Sequence, residues 1–237
     1  MARENLLLMV QVSCAPDNRE PFNQWYNNHV PNLLKLAGFQ WGQRYTSITE
    51  SDRFTALYGV RSEDDIPVML GRNTSEFHPI TRAELDGFHR LEGISNRLFN
   101  VYEQVAGTPL GDPLLHGDYP ISTVTADVDP NEEDDWNRWY NESHFPNVLA
   151  VPGYVSGGRF RAIDHPALEG VNTGPRDLAL YEVENEKVIP SLGDESLMCK
   201  EARDEIGNWR HYGLPRVSNV SWAFHTMISK HFKWMEA

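Results

Sequence analysis

Residues 22–45 read FNQWYNNHVPNLLKLAGFQWGQRY, and residues 136–160 read WNRWYNESHFPNVLAVPGYVSGGRF. The second stretch restates the first. Trp25 and Tyr26 recur 114 positions later as Trp139 and Tyr140. His29, Pro31, Asn32, Gly38 and Arg44 recur 115 positions later as His144, Pro146, Asn147, Gly153 and Arg159. One extra residue therefore lies between Tyr140 and His144. Further on, Ala56-Leu57-Tyr58 matches Ala179-Leu180-Tyr181, and Ser95-Asn96 matches Ser218-Asn219, both at 123. The jump to 123 falls on the turn-rich segment Glu169–Pro175. Order and spacing kept over four segments indicate a duplication, with halves at 1–108 and 117–237 and a Gly/Pro linker at 109–116.

Each half follows one pattern. An apolar strand (5–13; 120–127) comes first, with period-two alternation at Ile121, Thr123 and Thr125. A helix follows, announced by Asp17 and Glu20-Pro21 or by Asp129–Asp134, where acids suit the positive end of the macrodipole. Its stripe carries Phe22, Trp25, Tyr26 and His29 in one copy and Trp136, Trp139, Tyr140 and His144 in the other. Pro31 and Pro146 disturb or restart that helix, since proline lacks a backbone donor, and Gly38 and Gly153 end it. Two strands follow (39–48 and 53–61; 154–163 and 177–184), then a second helix (63–90 with a break; 191–210) and a closing strand (95–105; 217–228). The predicted fold class is α+β: two β-α-β-β-α-β ferredoxin-like repeats. Each sheet has helices on one face and a bare other face. Two bare faces bury each other, which gives a fused two-sheet barrel with a central cavity.

The motif W-Y-N…H-x-P-N, followed by Gly and then Arg-Tyr or Arg-Phe, resembles the dimeric α+β barrel superfamily, and within it the EthD-like branch. It covers Trp25–Tyr45 and Trp139–Phe160, and the pattern around them spans nearly the whole chain. The resemblance implies a barrel lined by the sheets with a small-molecule cavity in each unit. Members of the superfamily include cofactor-free monooxygenases, decarboxylases, dehydratases, lactone isomerases, cyclases and haem-dependent enzymes. His29 lies four residues after Trp25, whereas His144 lies five after Trp139, the spacing that looks usual for the family. The reading expects the halves to share a scaffold but not a geometry, with His144 the stronger candidate.

Composition narrows the function. A net charge of −13 over 237 residues argues against nucleic acid and anionic membranes. Cys14 and Cys199 fall at unrelated positions and read as free thiols of a cytoplasmic protein. The run Leu6–Val10 is too short for a signal-peptide core, and no stretch approaches a membrane span. The sequence contains no Gly-rich phosphate loop, no G-x-S-x-G, no H-E-x-x-H and no paired C-x-x-C.

The candidate catalytic residues are His144, His29, Tyr140, Tyr26 and His225. Histidine titrates near working pH and suits proton transfer, and a phenol can donate to a developing oxyanion. His225 counts if its face of the last strand, opposite Trp222 and Phe224, lines the cavity. The candidate substrate-binding residues are Arg159 and Arg44, as carboxylate clamps, and Trp139, Trp25 and Trp136, as walls. Asn32 and Asn147 read as local caps. His78, His89, His116, His165, His211 and His231 read as solvated, and no metal-ligand cluster is visible. The leading expectation is a lyase or isomerase with no cofactor, acting on a small aromatic or oxygenated substrate by dehydration, decarboxylation or ring opening and closure. The alternatives are a cofactor-free or haem-assisted monooxygenase or oxidoreductase, and a non-enzymatic small-molecule binding protein. An exposed sheet edge leaves room for a homodimer.

Overall fold

A computed structural model describes residues 2–70, 78–111, 118–188, 195–228 and 232–233. The first half runs β1 (Glu4–Cys14), α1 (Arg19–Leu33), β2 (Phe39–Ser47), β3 (Arg53–Ser62), α2 (Ile66–Met69), α3 (Pro79–His89) and β4 (Ile94–Gly107). The second runs β5 (Ile121–Val128), α4 (Glu133–Trp139), a π-helical turn (Tyr140–His144), α5 (Phe145–Leu149), β6 (Tyr154–Ala162), β7 (Asp177–Val183), α6 (Lys200–Asn208) and β8 (Val217–Met227). A short β9 (Phe232–Lys233) pairs with β2. The expected strands are present within one to three residues where described, whereas the second helix of the second half begins at Lys200, after a turn at 195–199, and not at 191. Residues 112–117 of the linker region, the break in the first half's second helix at 71–77, and positions 191–194 of the other second helix lie outside the described residues, as do His116 and His231. Among the described residues no helix is long and apolar enough to cross a membrane.

All strand pairs are antiparallel. In the first half the order is β2-β3-β1-β4, and in the second it is β6-β7-β5-β8. β4 pairs with β6 and β8 pairs with β2, which closes an eight-stranded barrel. Successive strand residues point to opposite faces, so each strand serves two cores. Leu7, Met9, Trp41, Tyr45, Leu57, Tyr102, Phe160 and Leu180 fill the barrel interior. The alternate residues face the helices: Leu8, Phe54, Tyr58 and Val60 meet α1 in one half, and Ala179 and Tyr181 meet α4 and α5 in the other. The expected central cavity is therefore corrected. The interior is packed with large apolar side chains, and the cavities lie outside the barrel wall, beneath the helices.

Beyond β6, the loop after it crosses to the other half. Thr173 N–H donates to Phe99 O (2.9 Å), Ile163 N–H donates to Val101 O (3.0 Å), and Ile163 and Leu168 join the first-half core. This loop holds the insertion seen at 169–175, and it covers part of the β4 edge. The corresponding β2–β3 turn is short, and Val220 and Trp222 on β8 stay exposed.

Candidate functional site

The aromatic stripe of each first helix delivers a histidine to the same surroundings. In the second half the His144 ring stacks on Trp139 (centroids 4.9 Å apart, 17° between planes) and on Trp209 (5.3 Å, 29°), with Tyr140 edge-on at 4.6 Å. In the first half His29 stacks on Trp25 (4.1 Å, 21°), with Tyr26 edge-on at 5.3 Å. Glycine makes room for these indoles. A Cβ at Gly87 would lie 2.5 Å from Trp25 Nε1, and one at Gly213 2.9 Å from Trp139.

Both histidines are held by a carboxylate from the second helix. His144 Nδ1 is 2.5 Å from Glu205 Oε1, and Asn147 Nδ2 donates to Glu205 Oε2 at 2.9 Å. His29 Nδ1 is 2.7 Å from Glu84 Oε2, and Asn32 Nδ2 donates to Glu84 Oε1 at 2.7 Å. Burial pushes both carboxyls up, but the hydrogen bonds from histidine and asparagine outweigh it, and both end below the usual carboxylate range. An ionised carboxylate only accepts, so Nδ1 carries the proton and Nε2 keeps its lone pair while the ring is neutral. Desolvation lowers the His29 pKa against the pull of Glu84, which favours that neutral form. Neither Nε2 has a hydrogen-bond partner among the described residues. The asparagines are thus carboxylate donors rather than local caps. The halves share one geometry despite the extra residue, because the π-helical turn Tyr140–His144 absorbs it. The expectation of two different geometries is corrected.

The arginines sit behind the tyrosines. The Arg159 guanidinium lies 4.1 Å from the Tyr140 ring centroid and donates to Asn141 (2.5 Å) and Asn137 (3.0 Å). That of Arg44 lies 4.0 Å from the Tyr26 ring centroid and donates to Asn23 (2.9 Å). Both are buried and neither lines the large cavities. The expected carboxylate clamp is corrected: these groups orient the tyrosine rings by cation–π contact. Trp136 is buried beside Arg159 and does not line the main cavity, and Trp139 backs His144 from outside it. His225 faces the barrel interior at 0% exposure, with Nε2 3.0 Å from Thr123 Oγ1, so it is not a cavity residue. Its neighbours Trp222 and Phe224, on the opposite face, are.

The second-half cavity measures about 490 Å³ and lies between sheet and helices. Tyr140, His144, Tyr181, Trp209, Trp222 and Phe224 contribute to its wall. The Tyr140 and Tyr181 hydroxyls are 3.2 Å apart, and burial raises both pKa values. Arg210, at the wall, is paired with Glu195. The first-half cavity, in the matching place, measures about 130 Å³ and is lined by Trp25, Tyr26, His29, Tyr58 and Glu84 among others.

Glu84 and Glu205 were not recognised from the sequence. The signal was there: Arg82-Ala83-Glu84-Leu85 and Arg203-Asp204-Glu205-Ile206 are a further copy of the repeat, 121 positions apart. Tyr58 and Tyr181 were seen as part of the repeat but not as cavity residues.

No protein-family model matches the chain, and no curated protein matches it. Solved structures do. An anthrone oxidase-like protein aligns over 98% of this chain and 95% of its own, with TM-score 0.67 and 13% identity. A protein provisionally named a monooxygenase, from Fusobacterium nucleatum, aligns over 98% and 96%, with TM-score 0.65 and 8% identity. The fold is that of a dimeric α+β barrel. The same architecture occurs in a heme-binding protein from Thermus thermophilus, over 97% of this chain and 93% of that one, with TM-score 0.51 and 9% identity. That finding overturns the expectation of a protein without a cofactor, because the fold itself accommodates haem.

Proposed function

We propose that the second-half cavity is the active site of an oxidoreductase of the oxidase or monooxygenase type. Its substrate is a small, neutral, aromatic molecule bearing a hydroxyl or carbonyl oxygen. The observation that carries this reading is His144: Nδ1 is fixed by Glu205, and Nε2 stands unpaired at the wall of a 490 Å³ cavity. Glu205 sets the tautomer and strengthens the base, so Nε2 takes a proton from an acidic O–H or C–H. In the Tyr140–Tyr181 pair one hydroxyl donates to the other. The second hydroxyl hydrogen remains for the substrate oxygen, where charge develops. Indole and phenyl walls suit an aromatic body. The pairing of Arg210 with Glu195 and the withdrawal of Arg159 behind Tyr140 disfavour an anionic one. Losing a proton makes such a substrate electron-rich and more readily oxidised. The anthrone oxidase-like and monooxygenase-named neighbours support oxidation over the lyase or isomerase chemistry expected first.

A second reading uses the same nitrogen. An imidazole with Nδ1 on a carboxylate and Nε2 open to a largely apolar cavity fits the donor chemistry that haem iron takes from a histidine. His144 would hold the iron, and Glu205 would orient His144. Haem, when bound, supplies electron-transfer and oxygen chemistry. The readings exclude each other at Nε2, so one titration separates them. A stoichiometric Soret band on adding hemin, lost in His144→Ala, selects the second. Oxygen uptake with 2-naphthol or a similar neutral phenol, lost in His144→Ala, selects the first. Neither band nor turnover removes both.

The equal strand orders, the matched His–Glu–Asn groups and the repeated sequence also support a tandem duplication. We read the chain as two ferredoxin-like repeats, 1–108 and 117–237, of the EthD-like branch. Co-expressing the two as separate chains tests this. Reassembly into the barrel is expected, and two unfolded fragments would refute it.

A further inference from the structure

The first-half cavity holds polar atoms that no described residue binds. Tyr58 is 1% exposed and Thr81 is 4% exposed, and both line this cavity. Neither the Tyr58 hydroxyl nor Thr81 Oγ1 has a hydrogen-bond partner among the described residues. His29 lines the same cavity with Nε2 unpaired. In the second half the two hydroxyls show no such deficit among the described residues. Tyr181, which occupies the Tyr58 position, shares a hydrogen bond with Tyr140, and Ala202 stands in place of Thr81. Buried hydroxyls are normally satisfied, and an exception calls for an unseen partner.

The rest of the wall narrows the partner. Leu8, Val10, Leu33, Phe39, Met69 and Phe88 are apolar. The volume of about 130 Å³ far exceeds one water, whose share of liquid is about 30 Å³, and approaches the ~150 Å³ of an apolar cavity that takes up benzene. Filling it with water would wet six apolar side chains to satisfy two hydroxyls. Glu84 is already satisfied by His29 and Asn32, and the Arg97 guanidinium lies over Phe88 (5.4 Å) and Phe99 (5.6 Å). Arg97 is exposed, so solvent meets its charge and the buried part of the wall is left with neutral demands. We propose that this cavity is a second binding site, separate from the one under His144, for a neutral single-ring molecule carrying a hydroxyl. Its ring fills the apolar part, and its hydroxyl meets Tyr58, Thr81 and His29 Nε2.

Calorimetric titration of the full chain with phenol and with 2-naphthol tests this. Phenol enters both cavities and the two-ring naphthol only the larger, so stoichiometries of two and one are expected. Tyr58→Phe and Thr81→Val each remove one unpaired hydroxyl at nearly constant shape. Each is expected to leave the melting temperature unchanged or raised and to weaken one phenol site about tenfold, without moving naphthol affinity. A single phenol site, or two sites indifferent to both variants, overturns the proposal. Failure of naphthol to bind speaks against the second-half reading alone, since the phenol arm uses different side chains.

Discussion

In the first half a histidine backed by one tryptophan looks into about 130 Å³; in the second a histidine between two tryptophans looks into about 490 Å³. The difference does not lie in the reactive groups. Histidine, glutamate, asparagine, tyrosine and arginine take the same relative places in both. It lies in the residues around them. Leu8 pairs with Tyr58 across the sheet, and Ser122 pairs with Tyr181 at the matching point. Leu33, Thr81 and Arg97 likewise stand where Val148, Ala202 and Val220 stand. The loop 163–175 lends Ile163 and Leu168 to the first half, and among the described residues no counterpart covers Val220 and Trp222. Capacity and chemistry are thus set by separate residues, and each can be changed alone.

The largest effect separates the histidines. His144→Ala is expected to lower turnover of the second-half substrate by about 10²–10⁴-fold, the usual scale for a general acid–base group. His29→Ala should leave that rate within about twofold. Steady-state kinetics on the two variants checks this, and equal losses would mean that the halves work as one site. Next comes capacity. Leu8 is buried against α1, and Leu8→Ala should cost about 2–5 kcal/mol in denaturant unfolding. It should also let 2-naphthol into the first half. The reverse change, Ser122→Leu, should exclude naphthol from the second, at some loss of stability because the Trp222 indole donates to Ser122 Oγ. If neither change moves naphthol stoichiometry, the cavities do not differ for the reason given.

A smaller effect compares the barrel ends of β4 and β8. Tyr102 and His225 occupy matching positions. Tyr102 donates to Pro175 O (3.0 Å) and accepts from Asn100 (3.1 Å). His225 has Thr123 at Nε2 and nothing at Nδ1 among the described residues. Desolvation, with a smaller contribution from Arg53, lowers its pKa from 6.5 to about 3. Between those values the unfolded chain binds a proton that the folded chain refuses, so stability falls as pH drops, by up to about 1.4 kcal/mol per unit. His225→Tyr should flatten that decline in melting experiments from pH 6.5 to 3. An unchanged slope would place the acid sensitivity elsewhere.

How much of this was legible in the chain follows from what repeats record. The strands, the helix stripe and the barrel class were readable because periodicity and glycine positions are local properties. Strand alternation also separated His225 from Trp222 correctly. Which face held the cavity was not readable, since Leu7 and Leu8 look alike and only packing tells inside from outside. The expected clamp at Arg159 failed for a related reason: a buried guanidinium and a substrate-facing one have the same letter. Glu205 was missed because its repeat is only Arg-x-Glu with an aliphatic after it, too short to weigh until His144 is found beside it.

The smallest effect concerns the one-residue difference between the helices. A π-helical turn closes a wider ring, and here Phe145 N–H reaches Tyr140 O, five residues back. The extra residue is pushed outward, and His144 keeps its place on Trp139 and Glu205. Asn141 follows Tyr140 as Asn27 follows Tyr26, and its side-chain oxygen accepts from Arg159, as that of Asn137 does. Deleting Glu142, which is exposed on this turn, should restore the plain helical spacing of the first half. The first half shows that this spacing reaches the same histidine–glutamate contact. The deletion should therefore shift stability by no more than about 1–2 kcal/mol, the scale of one hydrogen bond to a charged group, and leave naphthol affinity within about threefold. Chemical unfolding and the naphthol titration read the two effects separately. If affinity collapses while the fold persists, the turn does more than absorb a residue: it aims the imidazole, and the two halves are less alike at Nε2 than their distances indicate.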